Sequence, residues 1–159
     1  MLTFRSFEPP DANDLWELHL ATMADEEAGK DDAFFQDLRD IFQNYINPGG
    51  EFLIGILQET FVACGGYVPK SSTTVEIKRM RVHPAHQGQG YGRALLRELE
   101  GRAQSHGFAV ALVETTTIQR PALKLYQSSG YQQIGEARVE GFNVRQFRKN
   151  LLRPDSDLR

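Results

Sequence analysis

Residues 75–92 run Val75-Glu76-Ile77-Lys78-Arg79-Met80-Arg81-Val82-His83-Pro84-Ala85-His86-Gln87-Gly88-Gln89-Gly90-Tyr91-Gly92. The stretch opens as a strand whose apolar alternation changes phase. Val75 and Ile77 share one face by period two, whereas Met80 and Val82 share a face of the opposite parity. A regular strand cannot aim all four at one core. Either both faces are buried, or one extra residue sits near Lys78-Arg79 as a bulge. A bulge would splay this strand from its neighbour and open a slot in the sheet.

His83-Pro84 ends the strand, and the glycines of Gln87-Gly88-Gln89-Gly90-Tyr91-Gly92 lead into a helix expected over residues 90–105. Tyr91, Leu95, Leu99 and Ala103 form its apolar stripe, and Gly107 stops it. Glycine permits unusual torsions and the close approach of a bulky anion. The first amides of a helix have no partner inside it, point outward and carry the positive end of the dipole. Arg93 adds a cation in that first turn. The turn is therefore a candidate seat for a phosphate or pyrophosphate.

Working outward, Thr3-Phe4-Arg5-Ser6-Phe7 alternates as a short strand and Pro9-Pro10 ends it. Asp11 or Asn13 would cap a helix carrying Leu15, Trp16, Leu18, Leu20 and Met23. The acidic turn Asp25-Glu26-Glu27-Ala28-Gly29 breaks it. A second helix is expected with Phe34, Leu38, Ile41 and Tyr45 on one face, stopped by Asn47-Pro48-Gly49-Gly50. Phe52 to Leu57 and Phe61 to Val68 flank Gln58-Glu59-Thr60 as a hairpin. Beyond the glycine-rich turn, Ala109-Val110-Ala111-Leu112-Val113 is apolar throughout, as a strand buried on both faces should be. Pro121 fits the first turn of a shorter helix ending near Gly130. Tyr131-Gln132-Gln133-Ile134 and Val144 to Leu152 are the last strands. An antiparallel hairpin followed by strand–helix–strand units predicts one mixed sheet covered by helices. The expected domain is 1–152, with a loose tail at 153–159.

The chain of 159 residues suits one domain with one core. A net charge of −3 gives no electrostatic reason to expect nucleic acid, which needs a basic surface. The single cysteine, Cys64, forbids an intrachain disulfide and suits a reducing cytoplasm. It lies in the run Phe61-Val62-Ala63-Cys64 and is expected to be a small core residue. No signal peptide and no apolar run of about 20 residues is visible, so no membrane partner is expected.

Three phosphate-binding patterns compete for the turn. A nucleotide P-loop needs Gly-Lys-Ser/Thr, which does not occur. A dinucleotide fingerprint needs its glycines immediately after the strand, yet His83 to Gln87 intervene and Arg93 takes the third glycine's place, although Glu114 falls near the position of a ribose-binding acid. The third pattern is Gln/Arg-x-x-Gly-x-Gly/Ala, filled by Gln87, Gly90 and Gly92. On it the sequence resembles the GNAT superfamily of acyl-CoA-dependent N-acetyltransferases. Residues 76–84 look like that family's fourth strand. Gln119-Arg120-Pro121-Ala122-Leu123-Lys124-Leu125-Tyr126-Gln127-Ser128-Ser129-Gly130-Tyr131 is similar to its Asn-x-x-Ala-x-x-Leu-Tyr-x-x-x-Gly-Phe segment, with Gln119 in place of Asn and Tyr131 in place of Phe.

The resemblance implies a GNAT-like α/β domain: a mixed, mostly antiparallel sheet with a splayed central strand pair, flanked by helices. It implies acetyl-CoA as co-substrate, no metal, and transfer of the acetyl group to a primary amine of a small molecule or peptide. Backbone groups near Met80, Arg81 and Val82 would bond pantetheine. Gln87, Gly88, Gln89, Gly90, Tyr91, Gly92 and Arg93 would hold the pyrophosphate, and Gln119 would contact the coenzyme. Tyr126 occupies the position of the family's acid. Its phenol, with an ordinary pKa near ~10, can donate to a sulfur anion while staying protonated at neutral pH. Glu76 stands where several members place a glutamate that works through water, and it reads equally as a cross-strand ion-pair partner. A homodimer fits the family, and the lone cysteine with no visible signal peptide or span leads to the expectation of a cytoplasmic location. An acyl-CoA sensor without turnover and a dinucleotide binder remain alternatives.

Other polar residues have plainer readings. His83 and His86 are three apart with no Cys or acid nearby to complete a metal set. Asp25-Glu26-Glu27 and Asp31-Asp32 suit a solvated turn, or would draw in a cationic amine. Glu136 and Glu140, expected in the loop before the last strand, are equal candidates for that attraction.

Overall fold

The computed structural model describes residues 1–23, 32–116 and 119–151. Seven strands form one sheet in the order β1-β2-β3-β4-β5-β7-β6. They are β1 Thr3–Ser6, β2 Glu51–Leu57, β3 Thr60–Pro69, β4 Thr74–Val82, β5 Val110–Thr116, β6 Gln132–Val139 and β7 Phe142–Asn150. All neighbours are antiparallel except β4 and β5, which run parallel. The helices are α1 Ala12–Thr22, α2 Tyr91–Ser105 and α3 Arg120–Ser128.

Two apolar layers sandwich the sheet. On one face Leu95, Leu99 and Ala103 of α2 pack with Val75, Ile77, Ala111, Val113, Tyr126 and Phe147. On the other, Leu15 and Leu18 of α1 pack with Leu38, Ile41, Tyr45, Phe52, Ile54 and Cys64. Cys64 is a core residue as expected, and burial pushes its thiol up to about 12.

The parity break in β4 is a bulge. Gly66 pairs with Lys78 and Cys64 with Arg81, so Arg79 and Met80 together oppose Gly65. Arg79 takes a left-handed φ of 59°. The extra residue returns Met80 and Val82 to the same apolar layer as Val75 and Ile77. Parallel pairing of β4 with β5 stops at Ile77↔Val113, although the strands continue to Val82 and Thr116. The sheet is thereby opened at its centre.

Several local expectations are corrected. The second helix is not a regular α-helix: residues Asp32–Arg39 form a 3-10 segment kinked at Phe35, followed by a π turn Phe42–Ile46. Leu38, Ile41 and Tyr45 still face the core, while the Phe34 side chain lies outside the described residues. In α1, Leu20 is exposed and His19 is buried. Asp11 flanks that helix, but its carboxylate is taken by the Arg5 guanidinium at 2.7 and 2.8 Å. In β5 Ala111 and Val113 are buried while Val110 and Leu112 are only half-buried, so one face dominates. Glu136 lies within β6, not in a loop, and Glu140 sits in the tight turn Glu140-Gly141 at a left-handed φ of 51°. Asp25-Glu26-Glu27, Asp31 and the expected tail 153–159 fall outside the described residues.

A Cβ at Gly66 would lie 2.5 Å from Phe52 Cδ2 and 2.7 Å from the Glu51 carbonyl oxygen. Gly66→Ala should cost about 1–3 kcal/mol by overpacking, whereas Gly101→Ala, in open space on α2, should gain about 0.5–1 kcal/mol; urea unfolding reads both. His19 is held low, at about 4, by burial and then by the charges of Arg81 and Arg79. The unfolded imidazole binds its proton near ~6.5, so between these values the unfolded state holds more protons and stability falls as pH falls. From pH 7 to pH 4.5 the parent should lose about 2 kcal/mol more than His19→Leu in urea titrations.

Candidate functional site

A cleft of about 900 Å³ runs through the gap between β4 and β5, from the start of α2 to the ends of β6 and β7. This is within the usual range for small-molecule sites. Its floor is the bulged half of β4. The sequence of β4 builds it: the extra residue bends the strand away, and His83-Pro84 then turns the chain out of the sheet.

At one end lies the glycine-rich turn. The Gln87 side-chain amide donates to the Val82 carbonyl at 3.0 Å, tying the turn to the end of the strand. Gly88 and Gly90 have left-handed φ values of 79° and 83°, and Gly90 is the residue before the helix. The first bond inside α2 runs from Ala94 N–H to the Gly90 carbonyl at 3.1 Å. The amides before Ala94 have no carbonyl one turn behind them, so they aim outward at the helix end. Gln87, Gly88, Gly90, Tyr91, Gly92 and Arg93 line the cleft; the exposed Gln89 side chain does not. Arg93 is held in place by Ser129 Oγ at 3.1 Å and Ser128 Oγ at 2.8 Å, at the end of α3.

Met80, Arg81 and Val82 line the middle. Tyr126 reaches the same region from α3. Its ring packs against Tyr131 and Phe147, at centroid distances of 5.7 and 6.2 Å. Its hydroxyl points to Sδ of Met80 at 3.8 Å, and both residues line the cleft. Packing and a cleft-facing hydroxyl are thus both realised. Burial pushes its pKa up to about 12, with Arg81 opposing, so the phenol keeps its proton at neutral pH. Gln119 precedes α3 and accepts from Thr115 Oγ1 at 3.0 Å beside the cleft.

At the other end are two carboxylates. Glu76 on β4 lines the cleft, and its oxygen lies 3.7 Å from Lys70 Nζ. The ion-pair reading and the cleft position coexist at this residue. Glu114 on β5 lines the same cleft and accepts from Gln146 Nε2 at 3.1 Å. The sequence suggests Glu114 only as a ribose ligand, and a strand expected to be buried on both faces gives no sign of which way it points. Thr22 and Phe142 complete this wall with no sequence signal. Asp37 was also missed: it accepts a two-pronged bond from Arg79, at 3.0 Å from Nε and 2.8 Å from Nη2. His83 and His86 have ring centroids 5.9 Å apart, and among the described residues no group of three metal-ligating side chains forms.

The model of the acetyltransferase (GNAT) family matches residues 12–131. N-acetyltransferase 8B of Homo sapiens is 31% identical over 113 residues, covering 67% of this chain and 50% of that protein. The chain therefore spans about half the length of this curated relative. An acetyltransferase of the GNAT family from Staphylococcus aureus Mu50 superposes with a TM-score of 0.86 at 20% identity, covering 96% of this chain and 100% of that one. A GNAT family acetyltransferase from Elizabethkingia anophelis with acetyl-CoA bound superposes with a TM-score of 0.68 at 19% identity, covering 94% of this chain and 97% of that one. At such identities these two structures speak for the fold alone, and that fold is the mixed sheet with a splayed central pair.

Proposed function

The chain belongs to the acetyltransferase (GNAT) family, and from that premise we propose that its cleft binds acetyl-CoA and transfers the acetyl group to a primary amine. The observation that carries this reading is the convergence, in one cleft, of the opened β4–β5 gap, the start of α2 and the Tyr126 hydroxyl.

The backbone amides from Gly88 to Arg93, with the Arg93 guanidinium, take the pyrophosphate. Freed backbone groups near Met80, Arg81 and Val82 bond the pantetheine amides, standing in for the missing β4–β5 rungs. Gln119 contacts the coenzyme from the start of α3. The amine enters from the end walled by Glu76 and Glu114. An amine of pKa ~10.4 is mostly charged at neutral pH, so a base or a water relay must first accept a proton. Glu76 serves as that base. Glu114, a second carboxylate on the adjoining strand, lines the same cleft and is the control for that assignment. The neutral nitrogen attacks the thioester carbonyl, the carbon–sulfur bond breaks, and Tyr126 gives its proton to the leaving thiolate. The nitrogen sheds a second proton to water as the amide forms, and Tyr126 regains a proton from that water, so the products are the acetylated amine and the free coenzyme thiol.

Three measurements test these roles. Tyr126→Phe keeps the ring packing and should lower kcat by about 10²-fold or more, with little change in acetyl-CoA affinity. Unaltered turnover on a verified acceptor would take Tyr126 out of the mechanism. Glu76→Gln and Glu114→Gln should differ in the acid limb of their pH–rate profiles, the base being the one whose loss abolishes that limb. At Gly92 a Cβ meets only ordinary contacts, with Leu125 at 3.7 Å and Val82 at 3.8 Å, so Gly92→Glu starts from an unstrained position. It should leave the melting temperature close to that of the parent yet abolish acetyl-CoA binding in titration calorimetry, because a carboxylate would occupy the anion seat. Thiol release on adding amines separates an enzyme from a sensor that binds the coenzyme without turnover.

A further inference from the structure

The pair Asp37–Arg79 joins residues 42 positions apart in sequence. Both side chains are largely buried, at 17% and 16% exposure. Asp37 also accepts the hydroxyl of Tyr45. Burial alone would raise the Asp37 carboxyl; the Arg79 guanidinium and the Tyr45 hydroxyl overcome it and hold the group below its ordinary value. The Phe35 ring lies 5.0 Å from the Arg79 guanidinium and 5.6 Å from that of Arg81. The pair therefore fastens the 3-10 segment Asp32–Arg39 to the one residue of β4 that is in the left-handed region.

The neighbouring residue is held from the opposite face. Met80 Sδ receives the Tyr126 hydroxyl, on the side of α2 and α3. Consecutive residues of the bulge are thus anchored to opposite layers, Arg79 by a forked ionic bond and Met80 by packing and a weak hydrogen bond. A left-handed φ at a residue with a side chain is unfavourable and persists only where its surroundings hold it. The burial of Met80 and Val82 beside Val75 and Ile77 opposes a one-residue slip of the strand. Loss of the fork should accordingly loosen the bulge without reversing the register.

We infer that Asp37 and Arg79 are positioning residues: their fork holds the β4 bulge in the shape that receives the acyl donor. This rests on the donor reading proposed above. The consequence reaches the donor through the backbone at Met80, Arg81 and Val82, so it belongs to binding more than to turnover.

The test uses Asp37→Asn, Arg79→Lys and the double variant, each compared with the parent by acetyl-CoA titration calorimetry, thermal melting and steady-state kinetics. Asparagine keeps the size of the side chain without its charge, and lysine keeps the charge without the fork. Each single variant should raise the acetyl-CoA Kd about tenfold, the scale of one net hydrogen bond. The double variant should bind no worse than the weaker single, because one interaction is lost in all three. At saturating donor, kcat should stay within about threefold of the parent. Arg79→Lys is the milder change and carries the test should Asp37→Asn fail to fold. Folded variants that bind acetyl-CoA like the parent, with only a lower melting temperature, would overturn the inference, as would single losses that multiply in the double variant. A parent that does not bind acetyl-CoA removes the donor reading itself, and the inference with it.

Discussion

The extra residue that β4 carries opposite Gly65 sets the geometry on which the rest of the molecule depends. Without it, Met80 and Val82 would leave the layer that holds Val75 and Ile77, and β4 could pair with β5 along its whole length. With it, the apolar layer stays continuous while the pairing ends at Ile77↔Val113. Gly65 makes the arrangement possible from the other side. A Cβ there would already stand 3.1 Å from Met80 Cγ and 3.3 Å from Leu95 Cδ2. The cleft is therefore not carved out of the fold; it is what an in-phase core leaves behind when one strand is a residue too long.

Charge is distributed around this opening with care. Ion pairs on the surface, such as Arg145 with Glu136 at 3.7 Å, contribute little. The Asp37–Arg79 pair is different because it is largely buried and joins two layers. Burying such a pair is seldom a net gain in stability over apolar residues, while removing one partner leaves an uncompensated charge. Its value lies in specifying one arrangement of the 3-10 segment against the bulge. His19, packed between the tilted rings of Trp16 and Phe35 at 4.9 and 4.5 Å, stays neutral in the same neighbourhood of arginines.

The features that were legible in the sequence are those governed by local rules. The phase change from Ile77 to Met80 marked the bulge, and Gly88, Gly90 and Gly92 with an amphipathic stripe marked the start of α2. Pro121 and Gly130 bounded α3. What escaped depends on contacts distant in the chain. The spacing of Leu38, Ile41 and Tyr45 is helical, yet it serves a 3-10 segment and a π turn, because the core constrains which way side chains point and not how the backbone closes its hydrogen bonds. Nearly all of β6 is exposed, its apolar residues included, so no alternation of apolar and polar residues announced its true length. Asp37 carried no signal, since nothing near it in sequence shows that Arg79 will arrive from the sheet. Glu114 was visible as a polar residue closing an apolar strand, but its side of the sheet could be assigned only once β7 was in place beside it.

The four-residue parallel seam between β4 and β5 has a consequence for how the chain holds together. On either side of it the sheet is purely antiparallel, with β1–β4 as one ribbon and β5, β7 and β6 as another. Few backbone rungs bridge the two ribbons, and the remainder of the bridge is side-chain packing from α2 and α3. A molecule lying along the opened part of the seam would touch both ribbons at once and act there as a detachable eighth strand. Its binding is then linked to the joining of the two ribbons, so unfolding becomes dependent on the concentration of the small molecule as well as on the chain. With such a molecule bound, part of the structural integrity of this protein would be held in the solution around it.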